Sequence, residues 1–143
     1  MHFEYKVEGG NFTNAGYVSS SIKKVLKQLN VDFSILKKIV IAMYEAEVNI
    51  VAHAYRGVVK VDIDPYNIKV RLEDEGPGIP DVKQAMQEGY STASNEVRQM
   101  GFGAGMGLSN INKNTDSLHI TSEVGKGTVV EFICRLRHQK NNY

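Results

Sequence analysis

Long apolar runs are missing from this 143-residue chain. Nothing approaches the roughly 18 consecutive apolar residues that mark a membrane-spanning helix. The opening Met1-His2-Phe3-Glu4-Tyr5-Lys6 lacks a basic region followed by an apolar run, so a secretory signal is not expected there. Charge of one sign is missing as well. The formal net charge is +1, too little for the basic field that points to nucleic acid or an anionic membrane. Only one cysteine, Cys134, is present, which rules out an internal disulfide and fits a reducing compartment. Repeats, linkers and low-complexity tracts are absent. What is left is an ordinary cytosolic composition, 42% hydrophobic and 23% charged. One domain over residues 1–143 is expected, with a core that buries roughly two-thirds of the chain surface.

The elements follow from hydrophobic period. Phe3, Tyr5 and Val7 alternate as a first strand that Gly9-Gly10 ends. Val18, Ile22, Val25, Leu26 and Leu29 recur at helical spacing behind the cap-like Ser19-Ser20-Ser21. A longer helix is predicted from Ser34 to Tyr55, with Gly57 ending it. Val59–Ile63 and Ile68–Glu73 form a hairpin through Asp64-Pro65-Tyr66-Asn67. Asp81 caps a short helix. Residues 89 to 107 keep no period and hold five glycines, the mark of a functional lid or a disordered segment. Leu108 and Ile111 suggest a short helix opening at Met106 or Gly107. Leu118, Ile120, Ser122 and Val124, then Val130, Phe132, Cys134 and Leu136, make a second hairpin around Gly125-Lys126-Gly127. The tail from His138 is polar. The order β-α-α-β-β-(lid)-α-β-β predicts an α+β fold, a mixed, mostly antiparallel sheet with helices on one face in two layers.

Three stretches carry chemistry. Glu45, Asn49 and His53 recur at i, i+4 and i+8, one stripe of the long helix hemmed in by apolar neighbours. Asparagine is a weak helix former, so an amide there asks for another reason. Its carbonyl oxygen suits Mg²⁺, which binds through few protein oxygens plus phosphates. A carboxylate one turn away suits a general base. The second stretch, Asp74-Glu75-Gly76-Pro77-Gly78-Ile79-Pro80, takes a strand ending in a carboxylate straight into a loop that a ligand can approach closely. In the third, Gly101-Phe102-Gly103-Ala104-Gly105-Met106-Gly107-Leu108 runs glycines into a helix start, where backbone N–H groups favour an anion. The phosphate-loop and dinucleotide-binding glycine templates are both absent.

Taken together, a helical Glu-x-x-x-Asn, a strand-ending Asp-x-Gly-x-Gly, a Gly-rich lid and Gly125-Lys126-Gly127-Thr128 occur in that order over about residues 34–136. This combination resembles the gyrase, heat-shock-90, histidine-kinase and mismatch-repair ATPase superfamily, with its Bergerat ATP-binding fold. The resemblance implies ATP and Mg²⁺ as cofactors. It implies Glu45 as catalytic base, Asn49 as magnesium ligand and Asp74 as acceptor for the adenine amino group. Gly76, Gly78 and Ile79 would line the base and ribose. Gly101, Gly103, Gly105, Met106, Gly107 and Leu108 would cradle phosphates, and Thr128 would support Asp74. Arg98, in a polar lid segment departing from the pattern, would reach the γ-phosphate as a charge clamp.

Glu45 to Tyr55 and Gly105-Met106-Gly107-Leu108 are similar to the anti-sigma-factor and switch-type serine/threonine kinases of bacterial partner-switching systems. The implied activity is transfer of the ATP γ-phosphate to a Ser or Thr of a small antagonist or scaffold protein. A sigma factor or a phosphatase is a further implied partner, and a homodimer is expected. The alternative is a nucleotide-gated module that sequesters a regulator without chemistry. A detached ATP domain of a sensor histidine kinase is a third reading, against which stands the missing phosphoacceptor helix. Glu45 favours the kinase, because a sequestering module needs no base.

Overall fold

The computed structural model describes residues 1–87 and 107–136. Its strands are β1 (His2–Glu8), β2 (Arg56–Ile63), β3 (Asn67–Glu75), β4 (Ser117–Glu123) and β5 (Gly127–Arg135). They form one sheet in the order β1-β2-β3-β5-β4, and every pairing is antiparallel. The sheet is therefore not mixed among the described residues. Its helices are α1 (Tyr17–Gln28), α2 (Phe33–His53), the single turn α3 (Val82–Ala85) and α4 (Gly107–Lys113), with a 3₁₀ turn at Phe12–Asn14. No helix among the described residues is long and apolar enough to cross a membrane.

The core lies between the sheet and the helices. From the sheet come Val59, Val61, Ile68, Val70, Leu72, Val130 and Phe132, alternate residues that face one way because the strand period is two. From α2 come Leu36, Ile39, Met43, Ala46 and Ile50, and from α1 Val18, Ile22 and Leu26. Cys134 belongs to this core too. Burial pushes its thiol up to about 12, so it packs as a small hydrophobe rather than reacting. The opposite face of the sheet is charged. Lys60 pairs with Glu73 at 3.3 Å, and Arg71 bridges Glu73 and Glu131 at 3.1 Å each. Such exposed pairs contribute only about 0–1 kcal/mol apiece, so that face is kept wet rather than held together by them.

The turn chemistry at 64–67 forms as expected: Asp64 Oδ1 accepts the N–H groups of Tyr66 and Asn67, both at 2.7 Å. Two other expectations are corrected. Gly57 does not end α2. The helix stops at His53, Ala54 is extended, and Gly57 already pairs with Asp74 inside β2. A Cβ on Gly57 would come within 2.9 Å of Ile50 Cδ1, so this glycine serves a close helix–sheet approach. Val124, likewise, is exposed in the β4–β5 turn rather than part of the strand.

Ser19, Ser20 and Ser21 do not cap α1 but lie inside it. The N-cap is Gly16, which has no side chain to offer, and the helix start is closed from a distance. Glu47, buried in the middle of α2, accepts N–H bonds from Gly16 at 3.0 Å and Val18 at 3.1 Å on Oε2, and from Ser19 at 3.1 Å on Oε1. A carboxylate at a helix N-terminus also meets the positive end of the helix dipole. Replacing Glu47 by Ala leaves three backbone donors, two of them buried, without their acceptor. The expected loss of stability is about 3 kcal/mol, beyond the ~1 kcal/mol of an ordinary N-cap substitution. Urea unfolding measures it, and a loss under about 1 kcal/mol would mean that water satisfies the α1 start equally well.

Candidate functional site

The middle of α2 presents Glu45 and Asn49, both half-buried, one helical turn apart. Helix α4 lies against this stripe. At its first residue, Gly107, a Cβ would come within 2.9 Å of Asn49 Oδ1 and 3.2 Å of Nδ2, so a larger residue there would push the amide aside. One turn further along α4, Asn110 Nδ2 donates to Glu45 Oε1 at 3.4 Å. A carboxylate only accepts, which fixes the way the Asn110 amide faces. Leu108, Ser109 and Ile111 anchor α4 by burial. Leu108 is thus a core side chain, and only its backbone can face a ligand. His53 closes α2, and burial lowers the pKa of its imidazole, which favours the neutral ring.

The second cluster gathers at the end of β3. Asp74 is half-buried, and its Oδ1 accepts the Thr128 N–H at 3.0 Å. Desolvation raises its pKa, opposed by that one N–H, so the carboxylate pays for its burial with little support from the protein. Gly127 packs onto the Asp74 backbone so closely that a Cβ there would overlap the Asp74 carbonyl oxygen, at 2.0 Å. Thr128 is buried, and its Oγ1 lies 2.8 Å from Ser122 Oγ.

The Gly-Pro loop is clamped onto the β4–β5 turn. Gly76 N–H donates to Lys126 O at 3.0 Å, Gly125 N–H to Pro77 O at 2.8 Å, and Ile79 N–H to Ser122 Oγ at 2.7 Å. Gly78 has φ +77°, and a Cβ on it would lie 2.4 Å from Glu123 O. The space that Gly78 leaves is therefore filled by the neighbouring turn. At Gly76 the nearest atoms are those of Ala54, the closest at 3.0 Å. Both glycines let protein approach protein.

Of the residues singled out in the sequence, α2 and α4 bring together Glu45, Asn49 and Gly107, and the β3 end brings together Asp74, Gly76 and Thr128. Arg98, Gly101, Gly103, Gly105, Met106 and the lid segment 89–104 lie outside the described residues, as does the polar tail. Glu47, Asn110 and Ser122 were not foreseen. Ser122 had one visible signal, a polar residue at an inward position after Leu118 and Ile120. Among the described residues no three His, Cys, Asp or Glu side chains converge as a metal cage. The donor present is one neutral amide oxygen, which fits a cation held mainly by phosphates and water.

A family model described as the histidine kinase-like ATPase domain matches residues 12–134. The serine/threonine-protein kinase RsbT of Bacillus subtilis (strain 168) is 30% identical over 119 residues, covering 80% of this chain and 84% of that one. An anti-sigma F factor of Pasteuria penetrans is 31% identical over 135 residues, covering 90% and 87%. Among solved structures, the RsbU and RsbW domains of Rv1364c from Mycobacterium tuberculosis align with a TM-score of 0.65 at 18% identity. That alignment covers 95% of this chain and 32% of the longer one, and it supports the fold alone. The chain belongs to the histidine kinase-like ATPase family, in the branch that holds RsbT and the anti-sigma F factors.

Proposed function

We propose that this chain is an ATP-dependent serine/threonine protein kinase that phosphorylates a small antagonist or scaffold protein in a partner-switching pathway. The observation that carries the reading is the α2–α4 junction, where one helix pair holds a carboxylate and an amide oxygen a turn apart. Relatives named as a serine/threonine-protein kinase and as anti-sigma factors support it. On this reading the whole chain acts as one ATPase domain working in the cytosol. A sigma factor or a phosphatase is a second, non-substrate partner. A homodimer through the open sheet face gains no support from its ion pairs, because an interface there must desolvate them.

In this assignment Asn49 Oδ1 holds Mg²⁺ together with the ATP phosphates, and the metal supplies neutralisation of phosphate charge. Asp74 accepts from the adenine amino group through the carboxylate oxygen that Thr128 leaves open. Glu45 has Oε1 engaged by Asn110, so Oε2 takes the proton of the acceptor hydroxyl. Gly101, Gly103, Gly105, Met106, Gly107 and the Leu108 backbone would cradle phosphates, and Arg98 would clamp the γ-phosphate. Phosphoryl transfer needs chiefly positioning and charge stabilisation, which this set can provide. The sequestering alternative leaves Glu45 and its amide partner without a task.

Asp74→Asn should abolish ATP binding measured by calorimetry, since an amide turns a donor toward the adenine amino group; unchanged affinity would remove Asp74 from that role. Asn49→Ala should weaken binding in Mg²⁺ far more than in EDTA, and Gly107→Ala, which crowds the same amide, should do likewise with the fold intact. Equal losses with and without the metal would make Asn49 a packing residue. Glu45→Gln should leave ATP affinity near wild type while γ-phosphate transfer to a protein acceptor drops roughly 10²–10⁴-fold. Undiminished transfer would exclude Glu45 as the base.

A further inference from the structure

We propose that Ser122 is a positioning residue for nucleobase discrimination, acting through Thr128 and the Gly-Pro loop. The inference rests on the nucleotide-site reading above and names a residue that reading does not use. Ser122 lies on β4 opposite Thr128 and faces inward with Leu118 and Ile120, where an apolar side chain would be ordinary. It is the meeting point of three site segments. Its Oγ accepts the Ile79 N–H at 2.7 Å, lies 2.8 Å from Thr128 Oγ1, and reaches the Gly127 carbonyl at 3.1 Å.

Proton counting shows what this hydroxyl can do. A serine hydroxyl has one proton and two lone pairs, and the Ile79 N–H takes one lone pair permanently. Two arrangements remain. Either Ser122 donates to Thr128, whose own proton is then free for a ring nitrogen or a water, or Ser122 donates to Gly127 O and accepts from Thr128, which then offers only lone pairs. The Thr128 N–H is meanwhile fixed on Asp74 Oδ1. One corner thus combines a carboxylate that can only accept with a hydroxyl whose polarity Ser122 sets. Adenine presents an N–H₂ donor beside ring-nitrogen acceptors, the complement of that pair.

The same hydroxyl also holds the loop. The other two clamps between the Gly-Pro loop and the β4–β5 turn are backbone to backbone, Gly76 N–H to Lys126 O and Gly125 N–H to Pro77 O. Only the Ile79 link depends on a side chain, so a single substitution can release it without removing the other two. Without the hydroxyl, the Ile79 N–H and the Thr128 hydroxyl each lose their partner at the point where the base is read.

The test measures binding of ATP and of inosine triphosphate, in which the 6-amino group is a carbonyl and ring N1 carries a proton, to the full chain and to Ser122→Ala and Ser122→Thr. The expected result for Ser122→Ala is about a tenfold loss of ATP affinity, the size of one hydrogen bond. The preference for ATP over the deaminated nucleotide should shrink by a similar factor, and Ser122→Thr should restore both. Should Ser122→Ala fail to fold, Ser122→Cys keeps the volume with a weaker donor and acceptor and is read the same way. An equal loss for the two nucleotides, or no loss, overturns the proposal and leaves Ser122 a packing residue. Asp74→Asn runs alongside: wild-type ATP affinity in that variant would sink the nucleotide-site reading itself, whatever Ser122 does.

Discussion

The rotation of α2 about its own axis is the constraint on which the rest depends, and Glu47 sets it. A buried carboxylate must keep its acceptors occupied, and here three backbone N–H groups at the start of α1 occupy them. Successive residues turn by about 100°, so Glu47 points some 200° away from both Glu45 and Asn49. Locking Glu47 onto α1 therefore aims Glu45 and Asn49 at α4, on another side of the helix. A three-way hydrogen-bonded charge has one geometry.

This division of labour explains which parts could be read from the sequence. Period alone reveals α1, α2 and both hairpins, and the Asp64 turn follows from side-chain chemistry within three residues. The mistakes at the ends of α1 and α2 come from reading tertiary contacts as local ones. The serines of α1 look like a cap because caps are ordinarily local, yet the capping group lies 28 residues away from Ser19. Glu47 itself could have been noticed: it occupies the Met43–Ile50 stripe, where a charge needs a buried partner. Gly57 reads as a helix stop when helix ends are sought locally, whereas its true neighbour is Ile50 on a packed helix. Of the candidate site, the α2 stripe and Asp74 were legible; Ser122 showed only as a polar residue at an inward position, and Asn110 not at all, since their contacts exist only once β4 and α4 are docked.

The glycines carry a related lesson. Gly78 belongs to a pattern that suggests a ligand lying on backbone and Gly127 to a hairpin turn, yet each makes room for another segment of the chain. Gly78 admits the Glu123 carbonyl, and Gly127 admits that of Asp74. The two explanations are compatible in one respect. By letting the β4–β5 turn approach so closely, these glycines bring the Thr128 N–H to Asp74 and keep that carboxylate in a partly dry corner. A dry acceptor discriminates more sharply than a wet one, because water competes less for its lone pairs. The same burial raises its pKa, so Asp74 keeps a proton to higher pH than an exposed aspartate. On the adenine assignment, acidification must weaken nucleotide binding earlier than an ordinary carboxylate would dictate.

The α2–α4 pair also bears on how such a domain keeps its two polar groups in place. Glu45 and Asn49 are positioned by Asn110 and Gly107 on α4, and α4 is fixed in the core by Leu108 and Ile111. These contacts are all made between described residues of α2, α4 and the core. A change at Asn110 or Gly107 therefore moves the Glu45 carboxylate or the Asn49 amide directly, although neither residue belongs to α2. On the kinase assignment, selection for activity is expected to act on the facing residues of α4 as strongly as on the α2 stripe itself.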